Sequence, residues 1–238
     1  MTASRLRDVR LIDRSRCFQN SCLAATVVGL QQSKLDSLLR FVEDENERAE
    51  TLAAFAIESI PTSAEATSRF VGASRFACAA EDVSEFPQRL GDALALTLEQ
   101  LGYRSVIAAM ERRVPWLAQS NDFPPVAEAL DALRGRFLTS DFDGGLEADL
   151  ADISALTATL FWLTRGCASL PQIYFVTASA PWVGSLCQYG VLHVEFFDAS
   201  ERTRFTGAAM GNGFEVTQEC TDPYSCHGAI NGRAIRFE

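Results

Sequence analysis

The stretch Pro171-Gln-Ile-Tyr-Phe-Val-Thr177 is where this chain changes character. Its β-branched and aromatic run predicts a strand over 173–177. Similar runs predict strands over 191–197, 204–210, 214–218 and 234–237. Asp198-Ala-Ser-Glu201 and Gly211-Asn-Gly213 lie between them and read as hairpin turns, Asn-Gly favouring a primed turn. Before Pro171 the apolar residues recur at three and four instead. This predicts helices over 21–58, 83–117, 124–137 and 147–164, with a break near Gly102. The expectation is an α+β fold whose helical N-terminal two-thirds precede a small antiparallel β region. Its parts are a basic segment, 1–16, a helical region, 17–168, and a β region, 169–238, packed with the helices as one domain.

Composition excludes several classes. The 238 residues are 47% apolar and 22% charged, ordinary values for a folded chain and not for a disordered or fibrous one. No apolar run reaches about 18 residues, so no membrane-spanning helix is expected. Net charge is −10. Residues 1–16 hold five Arg against Asp8 and Asp13, a net +3, so the rest of the chain carries −13. An acidic body argues against nucleic acid, which is bound by clustered Lys and Arg, and suits a protein partner. Twenty basic residues are Arg and one is Lys, Lys34. GC-rich coding explains that bias. Avoidance of the ubiquitin acceptor in a protein delivered into a host cell explains it too. The N-terminus lacks a signal-peptide core, so a cytoplasmic chain with reduced thiols is the default.

The seven Cys are residues 17, 22, 78, 167, 187, 220 and 226, and the two His are His193 and His227. Cys22 stands out. In Cys17-Phe-Gln-Asn-Ser-Cys22-Leu-Ala-Ala, Ser21 can cap a helix that begins at Cys22. A thiol there sits at the positive end of the helix dipole, which favours thiolate. The Cys22 N–H, with the side-chain amide of Gln19 or Asn20, can hold an oxyanion. The plainer reading is a buried structural Cys. A thiol nucleophile needs a base, and only His193 and His227 are available. His193 lies inside a strand-like run, which fixes its direction, so it is expected to face Cys22. Glu195, Asp198 or Asn212 can orient its ring.

Gln19-Asn-Ser-Cys22-Leu at a helix start, followed by helices and then a β-region His, resembles the papain-like superfamily of cysteine hydrolases. The nearest likeness is to the cysteine box of ovarian-tumour-type deubiquitinases and related bacterial and viral proteases. The chain departs from that pattern in lacking Asp-Gly-Asn-Cys and an aromatic directly after His193. The resemblance implies a Cys22 nucleophile, a His193 base and a third residue among Glu195, Asp198 and Asn212. The expected activity is hydrolysis of a peptide, isopeptide or amide bond, either in an effector acting on host proteins, which fits the single Lys, or in a cell-wall amidase. That mechanism needs no cofactor. The rival expectation is a non-enzymatic acidic immunity protein that neutralises a basic partner.

Other segments carry less. No GxxxxGK[ST], GxGxxG, HExxH or GxSxG occurs. Cys220-Thr-Asp-Pro-Tyr-Ser-Cys226-His227 has no nearby CxxC, so no residue is assigned to a metal and the two thiols read as ordinary ones beside a turn. A disulfide between Cys220 and Cys226 would need an oxidising compartment. Asp141, Asp143, Glu147, Asp149 and Asp152 lack calcium-loop spacing and read as a solvated loop and helix start.

Overall fold

A computed structural model describes residues 6, 9–19, 21–39, 42–54, 60, 62–135, 139–167, 170–178 and 180–221. Among them, eight strands form one sheet: β1 (Arg10–Ile12), β2 (Gly72–Cys78), β3 (Ser105–Met110), β4 (Gly145–Asp149), β5 (Ile173–Val176), β6 (Trp182–Leu186), β7 (Leu192–Phe196) and β8 (Phe214–Thr217). Their spatial order is β1-β4-β3-β5-β6-β7-β2-β8, and every neighbouring pair is antiparallel. The helices are α1 (Arg14–Gln19), α2 (Cys22–Leu39), α3 (Glu45–Ala54), α4 (Ala64–Ser68), α5 (Phe86–Leu101), α6 (Pro124–Arg134), α7 (Leu150–Gly166) and α8 (Ala199–Gly211).

The alternation of side chains along each strand divides the core between two faces. Ala108, Leu146, Phe175, Leu192, Val194 and Phe76 join the larger cluster, which packs α5, α6, α7 and α8. Ile107, Ala109, Tyr174, Val176 and Val183 turn the other way, against Cys17, Ala24, Val27 and Val28 of α1 and α2 and Ala66 of α4. The sheet is therefore covered by helices on both faces. Among the described residues no helix is long and apolar enough to cross a membrane.

This corrects the expected arrangement of a helical N-terminal two-thirds followed by a small sheet. The chain is a mixture of helix and strand, but strands run from Arg10 to Thr217 and four of the eight precede residue 169. The expected helix over 83–117 ends at Gly102, whose φ of +84° gives the left-handed helix stop, and β3 follows. Ser105-Val-Ile-Ala-Ala-Met110 is buried on both faces over five of its six residues, so it shows no period-two alternation to tell it from buried helix. The helix expected from 147 starts at Leu150, because 145–149 pair with β1 and β3.

The strand expected over 204–210 is helical. Asp198 Oδ1 accepts from the Glu201 N–H at 2.8 Å, capping α8, and Glu201, Phe205, Ala208 and Ala209 bury one helical face. The segment 198–201 is thus a helix start and not a hairpin turn. The strand expected over 234–237 lies outside the described residues. The acidic cluster behaves in part as surface charge: Arg10 pairs with Glu147 and Asp149, each at 3.2 Å, and Arg113 pairs with Asp143 at 2.6 Å.

Candidate functional site

Ser185, His193, Arg75 and Thr217 stand in one row across β6, β7, β2 and β8. Directly paired residues of antiparallel strands project to the same side, so this register sets the direction of the His193 ring. The β6–β7 connection supplies a second group. The Cys187 N–H donates to the Val191 carbonyl at 3.1 Å and the Gly190 N–H to the Cys187 carbonyl at 2.9 Å. Gly190, at φ +78°, closes this turn. Gln172 Nε2 donates to the Leu186 carbonyl at 2.6 Å and ties the hairpin to the start of β5.

The third group arrives from beyond β8. Arg75 Nη1 donates to the Gln218 carbonyl at 2.5 Å, and Thr217 and Glu219 form a local turn through the Thr217 hydroxyl. The chain is thereby led back over β2, and Cys220 Sγ comes to 3.2 Å from His193 Nε2. The donor atoms of Cys187, His193 and Cys220 all lie within 4.8 Å of one another, and all three side chains are half-buried. They line a cavity of about 220 Å³ with Thr164, Pro171, Gln172, Gln188 and Tyr189.

Burial and then the Arg75 charge hold His193 below its usual range, so its ring is neutral at pH 7. Burial also pushes the Cys187 thiol up, with the neighbouring Cys220 adding to the rise. A neutral imidazole beside two thiols, one of which holds its proton tightly, is suited to metal ligation once those thiols deprotonate. Tetrahedral zinc with Zn–S near 2.3 Å and Zn–N near 2.0 Å places such donors roughly 3.5–3.8 Å apart, a spacing this group reaches with small side-chain shifts.

The residues singled out from the sequence are dispersed. Cys22 is the first residue of α2 and is exposed. Ser21 Oγ accepts from the Ala24 N–H at 3.1 Å, the expected capping contact. The thiols gathered at His193 are those of Cys187 and Cys220, and Cys22 is not in that group. Gln19 ends α1 and is exposed, while Asn20 lies outside the described residues. Glu195 shares the face of His193, but the opposite charge acting on its carboxyl is that of Lys34, and burial pushes that carboxyl up. Asp198 caps α8 and is bonded to Ser200 and Glu201. Asn212 closes the same helix, its Nδ2 donating to Gln100 Oε1 at 2.9 Å and to the Ala208 carbonyl at 2.8 Å. Cys226 and His227 lie outside the described residues.

Sequence reasoning missed both Cys187 and Cys220, the second of which read as an ordinary thiol beside a turn. Cys187 lies between Leu186 and Gln188, which by themselves single out no chemistry. The available signal was Cys187-x5-His193 around a Gly-containing turn, which becomes meaningful once 182–186 is recognised as a strand.

The six cysteines of the described residues are free thiols. Limited iodoacetamide labelling of the native protein at neutral pH is expected to modify Cys22 first among them. Cys17 is buried and its thiol is pushed up to about 11, and burial raises Cys78 and Cys187 as well. The His193→Ala change should leave the Cys22 rate unaltered. A marked slowing, read by mass spectrometry, would instead couple the two residues. Compared with known protein families, curated proteins and solved structures, the chain matches none of them.

Proposed function

We propose that this chain is a zinc-binding protein whose centre is formed by Cys187, His193 and Cys220. The observation that carries the reading is the convergence of two thiols and one imidazole within 4.8 Å, delivered by three separate parts of the fold. Two sulfurs and one nitrogen form a soft donor set that suits Zn²⁺ over Mg²⁺ or Ca²⁺. Arg75 acts as a positioning residue: it pairs in register with His193 and holds the segment that carries Cys220.

The proton balance gives a directional test. A ligating thiol must lose its proton, and burial makes Cys187 hold that proton above the usual cysteine range. Zinc therefore displaces at least one proton at pH 7. Falling pH strengthens the competitor, so affinity must drop by about tenfold or more per pH unit between pH 8 and 6.5. Calorimetric titration of the reduced apoprotein with zinc, in buffers of different ionisation enthalpy, measures the release directly. Binding that is independent of pH and releases no proton would refute thiolate ligation.

A second reading is supported by the 3.2 Å contact between Cys220 Sγ and His193 Nε2. A thiol within hydrogen-bond reach of a neutral imidazole has the geometry of a nucleophile and its base, as in a cysteine hydrolase of peptide, isopeptide or amide bonds. In this reading Cys220 takes the role that the sequence suggested for Cys22. The two readings separate by experiment. Hydrolysis of peptide or ubiquitin-type substrates by metal-free protein, lost in Cys220→Ala and His193→Ala and kept in Cys22→Ala, would favour the hydrolase.

A further inference from the structure

The cavity beside the Cys187–His193–Cys220 group is also lined by Thr164, in the last turn of α7. Thr164 is 4% exposed, and its hydroxyl has no hydrogen-bond partner among the described residues. Burying a hydroxyl without a partner is unfavourable, and native structures provide a partner for most such groups. The side chain also forgoes the usual helical alternative, which Thr97 and Thr159 take by donating to the carbonyl four residues earlier at 2.7 and 2.9 Å. Thr164, whose buried hydroxyl is unpartnered among the described residues, and a metal-binding donor set thus line one cavity of about 220 Å³.

We infer that zinc held by Cys187, His193 and Cys220 keeps one coordination position for an oxygen donor, a water molecule or a small carboxylate that displaces it, and that Thr164 Oγ1 hydrogen-bonds to that oxygen. This rests on the zinc-binding reading. It makes the centre one of the open kind, with three protein ligands and an exchangeable fourth, as distinct from a closed structural clip. The hydroxyl can donate to a bound carboxylate oxygen or accept from a bound water, so a single residue serves both occupants.

The experiment uses the full chain loaded with Co²⁺ in place of zinc and titrated with sodium acetate, read by visible absorption. The thiolate-to-cobalt charge-transfer band reports Cys187 and Cys220, and the d–d bands report the exchangeable position. The expected result is a two-thiolate band that acetate leaves in place, with a saturable change in the d–d bands. Thr164→Val should weaken acetate by about tenfold, the worth of one hydrogen bond to a charged group. Thr164→Ser, which keeps a hydroxyl, should restore it, and thermal melts of both variants establish that they fold. A thiolate band with no acetate response, or a response that appears only after Cys226→Ser or His227→Ala, would overturn the open position and leave the zinc reading intact. Equal acetate affinity in Thr164→Val and the parent would overturn the role of Thr164. Absence of any thiolate–cobalt band would remove the zinc reading and this inference together.

Discussion

Replacing Cys187 or Cys220 by Ser is expected to lower zinc affinity by more than about 100-fold, beyond the loss that follows removal of an outer-shell hydrogen bond. Each change exchanges a soft thiolate for a hydroxyl that stays protonated at neutral pH. His193→Ala should have an effect of the same order, because it removes the only nitrogen donor of the group. Cys22→Ser serves as the control and should leave affinity unchanged, since Cys22 lies at the exposed start of α2. Competition against a chromophoric chelator measures all four proteins. Unchanged affinity in Cys187→Ser would show that the β6–β7 turn is not part of the centre.

Gly190→Ala is expected to destabilise the fold by about 3 kcal/mol, in the upper range for a single substitution. Two causes add. A φ of +78° is strained for any residue with a Cβ, and the added Cβ would run into the ring of Phe86 and press on that of Phe161. Those rings pack with centroids 5.1 Å apart in the core under α5 and α7, so they have little room to yield. The melting temperature should fall by about 6–12 °C for a chain of this length. Because Gly190 closes the turn that presents Cys187, zinc affinity should fall as well. A melting temperature within 2 °C of the parent, on the order of the effect of an ordinary surface change, would contradict the described turn.

What could be read from the sequence depended on how local each signal was. Ser21 capping α2 and Gly102 ending α5 were legible because a cap is decided by neighbouring residues. The helix α8 was misread as a turn and a strand because of its β-rich flanks, although Asp198-x-x-Glu201 has capping-box spacing and Glu201 to Phe205 is a four-residue step. β3 was not legible, since a strand buried on both faces offers no alternation. The candidate site was half legible. His193 drew attention because only one other His exists, and its strand position was read correctly. Its partners depended on long-range pairing. Cys220 reaches the ring only because β8 adds to β2 and β2 to β7, an order no local pattern encodes. The attention given to Cys22 came from a cap motif that is present and that the fold uses to start a helix.

X-ray absorption at the zinc edge tests the central claim most directly. On protein loaded with one equivalent of zinc, the predicted first shell holds two sulfur atoms at about 2.3 Å and one imidazole nitrogen at about 2.0 Å, with one further light atom. Cys220→Ser should reduce the sulfur count to one. A shell of nitrogen and oxygen alone, unchanged by Cys220→Ser, would contradict the Cys187–His193–Cys220 centre.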